Sequence, residues 1–119
     1  MKNILIIGAG RSANTLIDYL LKESSINNWI ITIADFNAEL AVNASSGHKN
    51  SRPIFFDINN TIQRENEIRK SDIVVSMLPS NMHHIVAKDC LKFQKDLVTA
   101  SYVSDEINNY HDLAKKNKI

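Results

Sequence analysis

Cysteine is nearly absent from this sequence, with Cys90 as the single example in 119 residues. An intrachain disulfide is therefore excluded, and no Cys/His spacing resembles a zinc site, so no metal is expected. Long apolar runs are also missing. The first run, residues 4–7, stops at Gly8 and is too short for a signal-peptide core or a membrane span. These absences predict a protein of the reducing cytoplasm without a membrane partner.

An excess of charge is missing too. Fourteen basic residues stand against 13 acidic ones, so composition gives no reason to expect a nucleic-acid partner. None of the three tyrosines is followed by Lys four residues later, which removes the Tyr-x-x-x-Lys dyad of short-chain dehydrogenases, and no hydrolase nucleophile elbow is present. Repeats, low-complexity tracts and linkers are also lacking. Residues 1–119 therefore read as one domain.

What the chain does contain is a glycine turn between an apolar run and an amphipathic segment. Gly8-Ala9-Gly10-Arg11-Ser12-Ala13 matches the dinucleotide fingerprint G-x-G-x-x-A. Gly8 permits the tight turn, Gly10 lets the backbone approach a pyrophosphate, and the small Ala13 lets helix and strand pack closely. From Ala13 onward, apolar residues recur at helical spacing and predict a helix whose first N–H groups face the anion.

An acidic residue completes the pattern. Asp35 follows the strand-like residues 29–34 at roughly the 20-residue distance where a carboxylate can accept a hydrogen bond from a ribose 2′-hydroxyl. Strand, glycine turn, helix, strand and acid occur in this order. The sequence therefore predicts a dinucleotide-binding unit.

The remaining chain continues the alternation of strands and helices. We expect strands at residues 53–57, 73–78 and 97–100, with Asn37 and Asn60 capping the helices between them and Gln63 pairing with Asn60. The order βαβαβαβαβα predicts an α/β fold of the Rossmann type, a doubly wound parallel sheet. Six strands are usual for this fold, so the sixth is expected to be missing or truncated, as in the front part of a longer enzyme.

Beyond the fingerprint, three further segments resemble the N-terminal NAD(P)-binding domain of the saccharopine dehydrogenase (saccharopine reductase) family, and with it they cover nearly the whole chain. They are Ser71-Asp-Ile-Val-Val-Ser76-Met-Leu78-Pro79, the helix start Asn81-Met-His83-His84, and Val98-Thr-Ala-Ser101-Tyr102-Val-Ser104. The first and third segments are much more specific than the fingerprint. The resemblance implies reversible hydride transfer at a secondary amine, in which an imine of an amino acid and a semialdehyde is reduced to saccharopine on the lysine pathway. Related enzymes act on carboxylated polyamines.

Together, motif and resemblance give a set of expected site residues. The expected cofactor-binding residues are Gly8, Gly10, Arg11, Ser12, Ala13, Asp35, Phe36, Asp57, Ile58, Ser76, Met77, Leu78, Pro79 and Ser101. Asp57 is expected beside the adenine, although an Asp that ends a strand also serves in ordinary turns. For His83, capping and substrate contact both remain open, and Tyr102 serves either the substrate side or packing. His84 points elsewhere around the helix, so the histidine pair is not expected to share a metal.

The nature of the cofactor depends on Asp35. A carboxylate at this position accepts hydrogen bonds from a ribose diol and repels a phosphate dianion, so NAD is the expected cofactor. Family members that use NADP tend to carry a basic residue nearby. NADP remains an alternative, because Arg11 offers a cation for its 2′-phosphate. The amino-acid substrate is expected to bind a separate, missing domain.

A different class of function is also open. A free-standing NAD(P)-sensing module, like the regulatory domains of potassium transport systems, uses the same fold with an acid after the second strand and needs no substrate domain. The segment from Ser101 to Ser104 favours the enzyme. The oligomeric state is open, with a homodimer among the options.

Overall fold

Five parallel strands form the sheet in the computed structural model, which describes residues 2–99 apart from the side chains of Arg11, Ser12 and Ser80. The elements are β1 (Lys2–Ile7), α1 (Arg11–Asn27), β2 (Trp29–Asp35), α2 (Ala38–Ser45), β3 (Ser51–Phe55), α3 (Thr61–Lys70), β4 (Ile73–Ser76), a 3₁₀ turn (Ser80–Met82), α4 (His83–Lys92) and β5 (Asp96–Thr99). The expected last helix and sixth strand, with Ser101 and Tyr102, lie outside the described residues.

The strand order is β3-β2-β1-β4-β5, and each neighbouring pair is parallel. The chain moves outward from β1 to β3, returns through α3, and moves outward again on the other side. This is the strand order of the dinucleotide-binding fold, and it confirms the expected doubly wound sheet. The reversal falls between β1 and β4, so the carboxyl ends of these two strands flank the crevice where such sheets bind ligands.

β1 lies at the centre because both of its faces are apolar. Ile4 and Ile6 point to one face and Leu5 and Ile7 to the other, and all four are buried. The first face packs against α1 and α2, and the second against α3 and α4. Cys90 belongs to the second cluster, where burial raises the pKa of its thiol to about 12.

The third strand begins two residues earlier than expected. Pro53 was predicted to open it, but Pro53 lies in its middle and pairs with Ile33. Along a strand, successive backbone N–H groups point alternately toward and away from the neighbouring strand. Phe56 N–H donates to Asp35 O and so points toward β2. By this alternation, the nitrogen of Pro53 points away from β2. A proline without an N–H is tolerated there because β3 is an edge strand.

Helix starts follow the sequence more closely. Asn37 caps α2, where its side chain accepts hydrogen bonds from the N–H groups of Glu39 and Leu40. Asn60 caps α3 by accepting the Gln63 N–H at 3.0 Å. Both predicted caps are confirmed, and they fix where the loops at the carboxyl ends of β2 and β3 must end. Within residues 2–99, no helix is both long enough and apolar enough to cross a membrane.

Candidate functional site

The glycine turn lies between the carboxyl ends of β2 and β4. Gly8 has φ +107°, and its N–H donates to Ala34 O at 2.7 Å. A Cβ built at Gly8 would lie 3.2 Å from the backbone of Met77, whose own N–H donates to Ile7 O. Gly8 is therefore required by its backbone conformation and by the close approach of β4.

Gly10 differs, because nothing in the described part of the chain requires a glycine there. Its φ of −72° is open to any residue, and a Cβ at Gly10 would meet none of the described atoms of other residues within 4 Å. The residue precedes the first turn of α1, and no side chain caps that helix start. Open space therefore adjoins a helix start without a side-chain cap, and such a start suits an anionic ligand.

A cavity of about 290 Å³ opens beside this turn. Six of the expected cofactor-binding residues line it, namely Gly8, Asp35, Phe36, Asp57, Ile58 and Leu78. The other lining residues were not expected from the sequence, and they are Ile7, Ala34, Phe56, Asn59 and Met82. Its lining is mostly apolar and includes the carboxylates of Asp35 and Asp57. A cavity of this size lies at the low end of the range of roughly 300–1,000 Å³ for small-molecule sites, and fits a nucleoside better than a whole dinucleotide.

Asp35 contacts the backbone of two separate segments next to the cavity. Its Oδ2 accepts the Ala9 N–H at 2.7 Å, and its Oδ1 accepts the Asn37 N–H at 2.8 Å. The carboxylate therefore joins the glycine turn to the start of α2. Each carboxylate oxygen has a second lone pair, so these bonds do not prevent a ribose contact.

The loop that follows β3 is held by side chains from the first turn of α3. Gln63 accepts the Asp57 N–H and donates to Phe55 O, so only the Asn60 half of the expected capping pair forms. Arg64 donates to Ile58 O at 2.6 Å and pairs with the buried Asp89 of α4. The wall of the cavity that carries Asp57 is therefore fixed by α3.

Two aromatic rings meet at the outer rim. Phe36 and Phe55 have ring centroids 5.4 Å apart, with an angle of 50° between their planes. Both are largely exposed, Phe36 at 69% and Phe55 at 51%. Phe36 also lines the cavity, which places a flat apolar surface beside the rim carboxylates.

Ser76 and His83, expected at the cofactor and at a helix cap or the substrate, pair with each other in the interior. Both side chains are 0% exposed, and Ser76 Oγ lies 2.7 Å from His83 Nδ1. Burial lowers the pKa of His83, which favours the neutral ring. The pair joins the end of β4 to the first turn of α4, and neither side chain reaches the cavity. The sequence did not indicate this pairing because it depends on how the 3₁₀ turn folds back.

Of the remaining expected residues, some pack in the core or lie exposed away from the cavity, and the others are not described by the structure. Ala13 is buried against the sheet, as its small size predicts, and Met77 packs on the α1 side of the core. Pro79 is exposed and does not line the cavity. The side chains of Arg11 and Ser12, and the whole of Ser101 and Tyr102, lie outside the description.

Known proteins share this sequence pattern and fold. Residues 4–119 match the model of the saccharopine dehydrogenase NADP-binding domain. A saccharopine dehydrogenase (NADP+, L-glutamate-forming) of Pyricularia oryzae is 32% identical over 96% of this chain and 24% of its own length. An alpha-aminoadipic semialdehyde synthase of Arabidopsis thaliana is 30% identical over 94% of this chain and 12% of its own.

A solved structure agrees with them. The apo saccharopine dehydrogenase (L-Glu forming) of Saccharomyces cerevisiae superposes with a TM-score of 0.81 at 26% identity, over 92% of this chain and 24% of that protein. The chain thus spans about a quarter or less of the length of these relatives. The family model covers nearly the whole chain, and the chain therefore belongs to the saccharopine dehydrogenase NADP-binding domain family.

Proposed function

We propose that this chain is the cofactor-binding domain of a saccharopine dehydrogenase-like oxidoreductase. In this proposal the enzyme transfers hydride between a nicotinamide cofactor and the secondary amine or imine of an amino acid, as part of lysine metabolism. The relatives matched along the chain are enzymes of this kind by name, which favours the oxidoreductase over a nucleotide sensor.

The observation that carries the proposal is Gly10. Its backbone conformation does not call for glycine, and within residues 2–99 no described atom occupies the space of a Cβ. A fold without a ligand gains nothing from glycine at this position, since an ordinary side chain would be accommodated. A pyrophosphate that contacts the start of α1 does require it.

The cavity supports a place for the adenosine half. Asp35 is hydrogen-bonded to Ala9 of the glycine turn, and Phe36 and Asp57 line the same cavity. In the proposed pose the pyrophosphate lies at Gly10, the ribose beside Asp35, and the adenine between Phe36 and the Asp57 loop. The nicotinamide then extends toward the carboxyl ends of β4 and β5.

The bound cofactor supplies the hydride chemistry. The contribution of this chain is to hold the cofactor and orient it, through the glycine turn, the α1 start and the fixed wall of the cavity. The groups that bind the carboxylates of the amino acid belong, in this proposal, to a further domain. We therefore expect the 119-residue chain to bind cofactor without turning over an imine substrate.

NADP is the cofactor we propose, because the family description and the Pyricularia relative both carry that name. The NAD preference expected from Asp35 finds no support among these relatives. Arg11 is the nearest cation in the glycine turn and is our candidate for the 2′-phosphate.

Calorimetric titration of the full chain with NADP and NAD tests the proposal. We expect saturable binding of one dinucleotide per chain, with NADP the tighter. Arg11→Ala should weaken NADP more than NAD, because only NADP carries the 2′-phosphate. Absence of binding of either dinucleotide to folded chain would overturn the proposed function.

A further inference from the structure

Asp35 makes structural contacts that an acid binding a ribose hydroxyl after the second strand does not need. Its two oxygens accept two backbone N–H groups from different segments, Ala9 of the glycine turn and Asn37 at the start of α2. The bond to Ala9 spans 26 residues of sequence and measures 2.7 Å. Hydrogen bonds to an ionised acceptor are stronger than neutral ones.

The Ala9 N–H needs this acceptor. Ala9 is only 3% exposed and its side chain belongs to the core on the α1 side of the sheet. Gly8, one residue earlier, already donates to Ala34 O. Two successive N–H groups of the turn therefore point at the end of β2, and the second is satisfied by the Asp35 carboxylate. A buried N–H without a partner would destabilise this arrangement of the turn.

The negative charge of Asp35 is also compensated locally. Besides the two N–H donors, the start of α2 lies two residues away, where the helix dipole favours an anion. A carboxylate held in this way repels a nearby phosphate less than an exposed one does. An acid after β2 is thus compatible with membership of a family whose description names NADP.

Building on the proposed function, we propose that Asp35 is a positioning residue that fixes the glycine turn for the pyrophosphate, and that it does not decide between NADP and NAD. The turn contacts the part that the two dinucleotides share. Loosening it therefore lowers the affinity for both by the same factor.

The chain provides a matched control at the opposite edge of the sheet. Asp72 Oδ2 accepts the Asn3 N–H of β1 at 2.8 Å, a carboxylate-to-backbone bond of the same kind. Asp72 lies before β4 and does not line the cavity beside the glycine turn. Replacement of either aspartate removes one negative charge and at least one such bond.

The experiment compares the parent chain with Asp35→Ala, Asp35→Asn and Asp72→Ala. Calorimetry gives the affinities for NADP and NAD, and amide hydrogen exchange reports on the Ala9 N–H. We expect Asp35→Ala to weaken both dinucleotides by about tenfold, a factor that corresponds to about 1.4 kcal/mol. Asp35→Asn keeps one acceptor oxygen and should lose less. Asp72→Ala should leave both affinities unchanged.

The ratio of the two affinities decides between the hypotheses. An unchanged ratio in both Asp35 variants, with Ala9 exchange faster in Asp35→Ala and unaltered in Asp72→Ala, supports the positioning role. If Asp35 selects the cofactor, both variants instead bind NADP more tightly than the parent does and shift the ratio at least tenfold, and this result would overturn the inference. If the parent binds neither dinucleotide, the proposed function fails, and Ala9 exchange alone decides whether Asp35 fixes the turn.

Discussion

An ion pair at the amino edge of the sheet and two aspartates at its carboxyl edge serve different purposes. At the amino edge, Arg52 of β3 makes two hydrogen bonds to Glu67 of α3, at 2.6 and 3.1 Å, so the two side chains neutralise each other and join strand to helix. At the carboxyl edge, Asp35 accepts the backbone N–H groups of Ala9 and Asn37, and Asp57 Oδ1 accepts that of Asn59. The Arg52–Glu67 pair thus stabilises packing, whereas Asp35 and Asp57 shape the loops beside the cavity. Loops shaped in this way surround a cavity that side chains do not fill.

Gly10→Val should show the largest difference between the loss of cofactor affinity and the loss of stability. We expect at least a hundredfold loss of NADP affinity, because the branched side chain enters the space proposed for the pyrophosphate. The free energy of unfolding should fall by only about 1 kcal/mol, since the φ of −72° suits valine and no atom is close. Calorimetry and urea unfolding measure the two quantities. Unchanged affinity in folded variant would make Gly10 an ordinary turn residue.

Gly8→Ala should act on stability in the first place. The φ of +107° and a Cβ contact of 3.2 Å with the Met77 backbone predict a loss of about 3 kcal/mol in urea unfolding. Gly47→Ala is the matched control, because Gly47 also has a positive φ but open space around it. It should lose about 1 kcal/mol. Equal losses for the two variants would mean that the approach of β4 contributes nothing.

Glu67→Gln tests the ion pair of the amino edge. The hydrogen bond from Arg52 lowers the pKa of Glu67, so the carboxylate adds stability above its unfolded pKa, and that stability is lost as the pH falls through the folded pKa. With Arg52 43% exposed at its side chain, we expect a loss of about 1–2 kcal/mol at neutral pH, shrinking below about pH 4. Urea unfolding across pH measures it.

Glu65→Gln is the control for that experiment, because Glu65 pairs with the exposed Lys92 at 3.1 Å. An exposed pair of this kind should contribute less than about 1 kcal/mol. A loss as large as that of Glu67→Gln would contradict the distinction between the two pairs. Cofactor affinity should be unchanged in both variants.

Asp72→Ala should also have a small effect. Removal of the bond to the Asn3 N–H is expected to cost about 1 kcal/mol, because that bond is exposed to water. Urea unfolding gives the value. A loss of several kcal/mol would show that the amino edge depends on this carboxylate far more than its exposure indicates.

The sequence predicted those features that depend on neighbouring residues. The apolar spacing from Ala13, the caps Asn37 and Asn60, and the parallel sheet expected from alternating strands and helices follow from patterns of this kind. Most of the cavity lining was also predictable, because the carboxyl ends of parallel strands meet at one edge.

Features that depend on distant contacts were not predictable. The bond from Ala9 to Asp35 joins residues 26 apart, and the burial of His83 against Ser76 depends on the turn between β4 and α4. Arg64 was also missed, since its contact with Ile58 O gives no signal in sequence spacing. The displaced start of β3 has a similar cause, because only the pairing with β2 fixes its register.

The position of Pro53 has a consequence for how the molecule behaves in solution. An exposed edge strand is a template on which a second chain can extend the sheet, and β3 is an edge strand. Pro53 directs its nitrogen outward and has no hydrogen to donate, so an incoming strand would lose a ladder bond in the middle of the edge. The same proline that interrupts the expected pattern of the strand therefore disfavours aggregation through this edge.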